Sequence, residues 1–431
     1  MTSTPINIGL LGCGSVGGAL VELIAERADA IEETTGLRLV IGAVAVRNAS
    51  KSRTSVDESL LTTDARAVVS DPAIDVVVEV IGGIEPAREL ILEAMKNGKP
   101  VVTANKELLA NCGSELYGAA AASGIDLLFE AAAAGAIPII RPLRESLLGE
   151  DLRRIMGIVN GTTNYILTKM AEDGAEYADA LSDAQRLGYA ERDPTADVEG
   201  FDAGAKAAIM ASLAFGVRVV AGDVYHEGIS EVSQADIAFA RRLGYEIKLL
   251  TIAEVFGSGP DREIGVRVHP AMVPEDHPLA SVRDSFNAVF LEGTAAGQLM
   301  FYGRGAGGRP TASAVLGDLI DAALNLGQHS HRRVPGGGTS AKIRPIDQLE
   351  TAYYLNLEVA DSPGVLAEVA GVFGRHGVSI RSMEQEGLGV EARLVFITHL
   401  ATERDLQATV AEFRSLPVVT GVRSLMRVIG E

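Results

Sequence analysis

The chain has 431 residues, and 38 Lys and Arg stand against 57 Asp and Glu, a net charge of −19 at pH 7. So acidic a balance argues against nucleic acid and anionic membranes as partners, because both call for a basic surface. Hydrophobic residues at 47% and charged residues at 22% match a soluble globular protein, and the length suggests roughly two to four domains.

Trp is absent and aromatics make up 5%, which leaves little for stacking bases or sugars. Cys13 and Cys112 are the only cysteines, too few for a disulfide framework or a four-ligand metal site, and they fit a reducing cytoplasm. The first seven residues have neither a basic nor a long apolar stretch. No apolar run approaches the roughly 18 residues of a membrane helix, so the expectation is a cytoplasmic protein.

Short apolar runs at 6–11, 39–46, 76–80, 100–103 and 126–129 alternate with helical patterns. Continuous hydrophobicity of this kind fits strands buried on both faces of a parallel sheet with crossover helices, a Rossmann-type α/β domain over 1–134. One helix is expected over 85–97, beginning at Pro86 and stopping at Gly98. From 135 to 303 longer helices mix with strands at 155–159 and 264–268, an α+β domain. The glycine-dense stretch 301–310 allows close backbone approach or a flexible linker. An apolar helix follows over 311–326, and 304–330 is expected to pack back onto the first domain. A mobile surface connection is expected over 329–344, within a linker at 331–350. The last segment, 351–431, reads β-α-β-β-α-β, a small separate ferredoxin-like domain.

Gly12, Gly14 and Gly17, with Ser15 and Val16 among them, stand in G-x-G-x-x-G spacing after the first strand and open an apolar helix. Gly12 permits the turn, Gly14 lets a pyrophosphate approach the backbone, and Gly17 packs helix on strand. The carboxylate that would hold the ribose of NAD is missing after the second strand. Arg47, Lys51 and Arg53 stand there instead and favour the 2′-phosphate of NADP, unless they are an ordinary solvated loop.

The densest polar cluster spans 187–206. Asp202 and Lys206 are four residues apart on an expected helix, so their side chains share a face. A pair at that spacing is often a surface ion pair. Glu191, Asp193 and Asp197 crowd acids before that helix, however, and a lysine in such company can hold a proton for an alkoxide. Lys106 follows the fourth strand of the first domain, where doubly wound sheets bind ligands, although it equally suits a solvated helix start.

The pattern Gly-Tyr-Ala-Glu-x-Asp-Pro-x-x-Asp-Val-x-Gly-x-Asp-x-x-x-Lys, from Gly188 to Lys206, resembles the signature of homoserine dehydrogenases. The runs Val102 to Lys106, Asn160 to Tyr165, and Gly303 to Gly307 before Pro310 to Ser313 are similar to the same family, and the likeness spans about 5–345. It implies that Lys206 serves the reacting oxygen with Asp202 beside it. Glu191 would receive the substrate ammonium, Lys106 would help fix the substrate, and Asp197 and Thr162 would join the substrate site. Gly82, Thr103, Gly188 and Gly303 would lie near the cofactor. It further implies a loop in which Glu130, Ala133, Gly135 and Ile137 hold sodium or another monovalent cation, mostly through carbonyl oxygens.

The segment Asp361 to Ala367 resembles the first loop of ACT domains, which sense amino acids. Asp361 is expected to cap the following helix. With Gly364, Val365 and Leu366 it would face an L-threonine effector held against Ile380 of another copy. A capped helix without ligand is the plain alternative.

The resemblance thus implies reversible hydride transfer between NADPH and L-aspartate 4-semialdehyde, giving L-homoserine for threonine, methionine and isoleucine synthesis, in a homodimer or homotetramer. NAD remains possible as cofactor. A semialdehyde-oxidising enzyme would need a cysteine nucleophile, and neither Cys13, in the dinucleotide loop, nor Cys112, in a helix, suits that role. A non-catalytic sensor of nucleotide and amino acid is the alternative from another class. The set Glu191, Asp202 and Lys206 argues against it, and an NADPH absorbance assay separates the two.

Overall fold

The computed structural model describes residues 4–50, 53, 55–328, 330–332, 340–387 and 391–430. They form two compact units: Met1–Ile155 with Ala205–Val224 and Asn287–Ala341, and Met156–Gly204 with Tyr225–Phe286 and Lys342–Glu431.

The first unit is built on six parallel strands, β1 (Thr4–Leu11), β2 (Leu37–Ala45), β3 (Leu61–Thr62), β4 (Val76–Glu79), β5 (Val101–Thr103) and β6 (Leu127–Leu128). Their order is β3-β2-β1-β4-β5-β6, a Rossmann-type sheet that reverses direction of growth between β1 and β4. The all-buried run Val76–Glu79 shows why these strands carry no alternation. The two-residue β3 is too short to have a sequence pattern. Helix α1 spans Ser15–Thr35, α2 Ala65–Ser70, α3 Ala87–Lys96 and α4 Lys106–Ser123. Pro86 is the cap of α3 rather than its first helical residue.

The helix Gly308–Gly327 belongs to this unit. It inserts Val315, Leu316 and Leu319 into the core formed by Ile8, Leu10 and Leu20. Each such side chain contributes about 1.5–3 kcal/mol on burial. Arg309 clamps its first turn to Glu26 at 2.7 Å. Gly308 leaves no room for a side chain, since a Cβ there would lie 2.9 Å from the Ser15 carbonyl. The glycine-dense stretch is therefore packed structure, with strand Gly297–Arg304 leading into the helix. The 329–344 connection lies partly outside the described residues.

In the second unit, strands Tyr245–Phe256 and Glu263–Pro274 form a long antiparallel hairpin. The strands expected at 155–159 and 264–268 run differently, as Leu152–Ile158 and Glu263–Pro274. The C-terminal strands order as Val419–Val428, Glu350–Ala360, Glu391–Thr398 and Ile380–Gly387, all antiparallel neighbours. Helices Val365–Arg375 and Glu403–Phe413 cover one face around Phe373, Phe396 and Phe413. This is the β-α-β-β-α-β arrangement, and its sheet continues past the ACT strands. Val419–Val428 pairs in parallel with Glu263–Pro274 at Ala271 to Arg427 and Met272 to Val428, so the sheet runs on into the middle of the chain. The end of that strand thereby gains a second neighbour, and the Ile429 N–H beyond it donates to the Met272 carbonyl at 3.0 Å. Among the described residues no helix is long and apolar enough to cross a membrane.

Candidate active site

The turn after β1 is shaped by its glycines. Gly12 has φ +99° and donates its N–H to the Ala45 carbonyl at 2.9 Å. A Cβ on Gly17 would lie 2.3 Å from the Gly12 carbonyl oxygen, whereas one on Gly14 would meet nothing within 4 Å. Gly14 thus borders open space at the start of α1, and no side chain caps that helix. Uncapped N–H groups and the helix dipole suit a pyrophosphate there. The adjoining cleft, about 570 Å³, is lined by Gly12, Gly14, Arg47 and Arg53 among others. Arg53 donates to the Asn48 carbonyl at 3.0 Å and to the Cys13 carbonyl at 3.4 Å, so it braces the turn, while Arg47 is exposed. Lys51 lies outside the described residues.

A second cavity of about 400 Å³ opens at the C-terminal ends of β4 and β5. Val16, Gly82, Gly83, Lys106, Gly135, Lys206, Gly305 and Ala306 are on its wall. Both lysines picked out in the sequence therefore face one space. Lys206 is 7% exposed, too buried for a surface ion pair, and Lys106 is exposed on the rim. Thr103 is fully buried and off the wall. Its hydroxyl donates to Oε2 of Glu79 at 2.5 Å. Glu79, with no exposed surface, also accepts the N–H groups of Ile81 at 2.8 Å and Gly82 at 3.1 Å. Burial pushes its pKa up, outweighing these hydrogen bonds. Sequence reasoning missed Glu79, whose one signal is a carboxylate ending an otherwise apolar strand. Gly303 is half-buried against Ile137 and is not on the wall, where Gly305 and Ala306 stand instead.

In the second unit, Asn160 caps the helix Gly161–Asp173 by accepting the Thr163 N–H at 2.9 Å. Its Nδ2 donates to Asp197 at 2.7 Å and to Asp202 at 3.0 Å, joining two of the predicted acids. Asp202 lies in the first turn of the helix Phe201–Phe215, and Lys206 follows one turn later on the same helix. Thr162 donates to the Tyr189 carbonyl at 2.6 Å, which ties down the stretch after Gly188. Gly188 itself takes φ +78° and is exposed. Glu191 is exposed, and Asp193 turns back to cap Thr195, so neither joins the Asn160 group. The acids do not crowd one helix start as expected, because Asp193 serves its own local turn.

The small-residue loop is tightly built. The Glu130 carboxylate accepts the N–H groups of Ile139, Ile140 and Arg141 at 2.6, 2.7 and 2.8 Å. Its side chain is thereby engaged with the following turn. Gly135, with φ +62°, packs where a Cβ would lie 2.2 Å from the Gly305 carbonyl. Among the described residues no group of His, Cys, Asp and Glu could hold a metal.

At the C-terminal sheet a cavity of about 360 Å³ is lined by Asp361, Gly364, Val365, Leu366, Gln385 and Leu394. Ile380 is not on it. Asp361 does not cap the helix as expected: the helix begins at Val365, so the cap position falls to Gly364, with φ +94° and no side-chain bond.

Residues 138–320 match the family described as homoserine dehydrogenase, 12–130 match the homoserine dehydrogenase NAD binding domain, and 353–418 match the ACT domain. The chain is 51% identical over 425 residues to the homoserine dehydrogenase of Corynebacterium glutamicum, covering 98% of this chain and 95% of that protein. The chain belongs to the homoserine dehydrogenase family. Among solved structures, the homoserine dehydrogenase of Thiobacillus denitrificans is similar at a TM-score of 0.93 and 42% identity, covering 99% of both chains. A hyperthermophilic archaeal homoserine dehydrogenase in complex with NADPH is similar at a TM-score of 0.64 and 29% identity, over 75% of this chain and 98% of that one. This homoserine dehydrogenase is accordingly an oxidoreductase with a nicotinamide-dinucleotide-binding sheet and a C-terminal ACT domain.

Proposed function

We propose that this homoserine dehydrogenase reversibly reduces L-aspartate 4-semialdehyde to L-homoserine with NADPH, the step that leads to threonine, methionine and isoleucine. The observation that carries the reading is the single cavity walled by Lys106, Lys206 and the Gly82–Gly83 turn at the carboxyl ends of β4 and β5. The cofactor, when bound, supplies or takes the hydride. Lys206 holds the proton for the alkoxide oxygen, and Asp202, one helical turn before it, orients that lysine. Asn160 keeps Asp202 and Asp197 in place. Glu191 receives the substrate ammonium, Asp197 and Thr162 belong to the substrate site, and Lys106 fixes the substrate.

The pyrophosphate lies on Gly12, Gly14, Ser15, Val16 and Gly17, Arg47 at the cleft meets the 2′-phosphate, and Arg53 braces the turn beside it. The archaeal relative described in complex with NADPH supports that preference. Gly82, Lys106 and Gly188 complete the cofactor site, while Thr103 and Gly303 act only from behind its wall. The carbonyls of Glu130, Ala133, Gly135 and Ile137 hold a monovalent cation. The domains divide as 1–134, 135–303, a linker at 331–350, and 351–431. L-Threonine binds the ACT domain at Asp361, Gly364, Val365 and Leu366, against Ile380 of a second copy in a homo-oligomer, and lowers activity in the cytoplasm. The absence of a side-chain cap at Gly364 supports a carboxylate ligand at this helix start.

Lys206→Ala tests the central claim. Turnover should fall roughly 10²- to 10⁴-fold, the range for losing a positioned acid or base. NADPH binding, followed by its fluorescence, should stay nearly intact. Near-normal turnover would take Lys206 out of the mechanism.

A further inference from the structure

We propose that Glu79 is a positioning residue that sets both walls of the lysine cavity, the Ile81–Gly83 turn on one side and the start of helix α4 on the other. A closed ring of hydrogen bonds connects them. Glu79 Oε1 accepts from the N–H groups of Ile81 at 2.8 Å and Gly82 at 3.1 Å. Oε2 accepts the Thr103 hydroxyl at 2.5 Å, and Thr103 Oγ1 in turn accepts the Asn105 N–H at 3.0 Å. The Asn105 side chain closes the ring by donating to the Gly83 carbonyl at 2.7 Å. Its other end accepts the Leu108 N–H at 3.1 Å and so caps α4, whose first residue is Lys106.

Each member has one workable role. The Thr103 hydroxyl accepts from Asn105, so its single hydrogen must go to Glu79. Both backbone groups at Oε1 are donors. Glu79 therefore serves wholly as acceptor, and an amide in its place would set an NH₂ against a donor. Gly82 and Gly83, at φ +73° and +75°, lie in a region that other residues rarely adopt, and the carboxylate anchors the turn that contains them. Glu79, Thr103 and Asn105 are at most 5% exposed, so water cannot substitute for a lost partner without rearrangement. A buried carboxylate held by donors on one strand end and its neighbour thus fixes the distance between Gly82 and Lys106.

The inference rests on the reading that this cavity takes substrate and the nicotinamide end of the cofactor. Full-length Glu79→Gln, Thr103→Val, Thr103→Ser and Lys106→Met are compared by steady-state kinetics, NADPH fluorescence and thermal melting. Glu79→Gln and Thr103→Val should each lower kcat/KM for NADPH by about 10- to 100-fold, mainly through KM, the span of a hydrogen bond to a charged group. Thr103→Ser keeps the hydroxyl and should restore most of the loss. If Glu79→Gln does not fold, the Thr103 pair decides. Unchanged KM in Thr103→Val, or a loss in Thr103→Ser as deep as in Thr103→Val, overturns the proposal. Activity that falls only with the folded fraction does the same. Lys106→Met separates the two ideas: if it is impaired while the ring variants are normal, the ring alone fails. If Lys106→Met is also normal, the reading of the cavity fails with it.

Discussion

Arg427 grips Glu227 with two parallel hydrogen bonds, Nη1 to Oε2 at 2.8 Å and Nη2 to Oε1 at 2.9 Å, while its Nε reaches Glu403 at 2.9 Å. The guanidinium is 4% exposed and belongs to the last strand of the ACT sheet, whereas Glu227 follows the short strand Tyr225–His226 in the middle of the chain. Burial alone would raise the Glu227 pKa, but the Arg427 hydrogen bonds and charge, with the Tyr225 hydroxyl, together outweigh it and hold the carboxyl below its ordinary value. From Glu227 the contacts continue: the Ile229 N–H donates to the Val198 carbonyl at 2.8 Å, and the Ser230 hydroxyl donates to Glu199 at 2.8 Å, next to the turn that carries Asp197.

Arg427→Ala should therefore destabilise the second unit markedly. It strands Glu403, itself 4% exposed, without its cation. Removing one partner of a buried pair costs about 3–5 kcal/mol. A urea titration following the second unit should show the midpoint falling, with Glu227→Gln milder because Glu227 keeps a third of its side chain in solvent. An unchanged midpoint in Arg427→Ala would mean that the pair carries no net stability. For the same reason, cutting the chain after Arg344 removes more than an effector site. It takes away Arg427 and the strand that pairs with Glu263–Pro274.

The cofactor preference separates two arginines by geometry. Arg53 braces the turn through the Cys13 and Asn48 carbonyls, while Arg47 is exposed on the cleft. Wild-type kcat/KM should be higher with NADPH than with NADH. Arg47→Ala should weaken NADPH alone by about tenfold or more, as expected for one charged hydrogen bond. Arg53→Ala should weaken both cofactors, because it loosens the turn itself. Tenfold preference of the wild type for NADH would overturn the reading of this cleft.

The parts of the molecule that were legible in the sequence are those written in local pattern. Buried parallel strands announce themselves as unbroken apolar runs, and the three glycines lie at spacings that the turn after β1 demands. Lys106 and Lys206 stood out by neighbourhood, and both do line one cavity. What was illegible depends on partners distant in sequence. Asn160 joins Asp197 and Asp202 across about 40 positions, and although the run Asn160 to Tyr165 stood out by resemblance, nothing in it told which carboxylates Asn160 would meet. Glu79 meets Thr103 across 24 positions. The shared sheet of the ACT strands was hidden too, because a strand's second neighbour leaves no mark on its own alternation. Asp361 misled for a smaller reason: the helix does start at Val365, but Gly364 takes the cap position and Asp361 stands three residues before it.

Lys248 sets a pH dependence of stability. It is 3% exposed on the strand Tyr245–Phe256, and its ammonium donates to the Val282 carbonyl at 2.6 Å. Burial drives its pKa down from 10.5 to about 8, only partly offset by the more distant Glu246 and Glu172. The folded state therefore releases this proton near pH 8, while the unfolded chain keeps it to about 10.5, so between those values the unfolded state binds more protons. Stability contributed by this site must then rise with pH across that window, and the penalty is fully present below it. The shift corresponds to a cost of about 3 kcal/mol at neutral pH. Lys248→Met removes the buried charge at similar volume. Urea midpoints taken from pH 7 to 10 should climb less steeply in Lys248→Met than in the wild type, with the variant the more stable of the two at pH 7. Parallel curves for the two proteins would mean that Lys248 is solvated in the fold and that its pKa is ordinary.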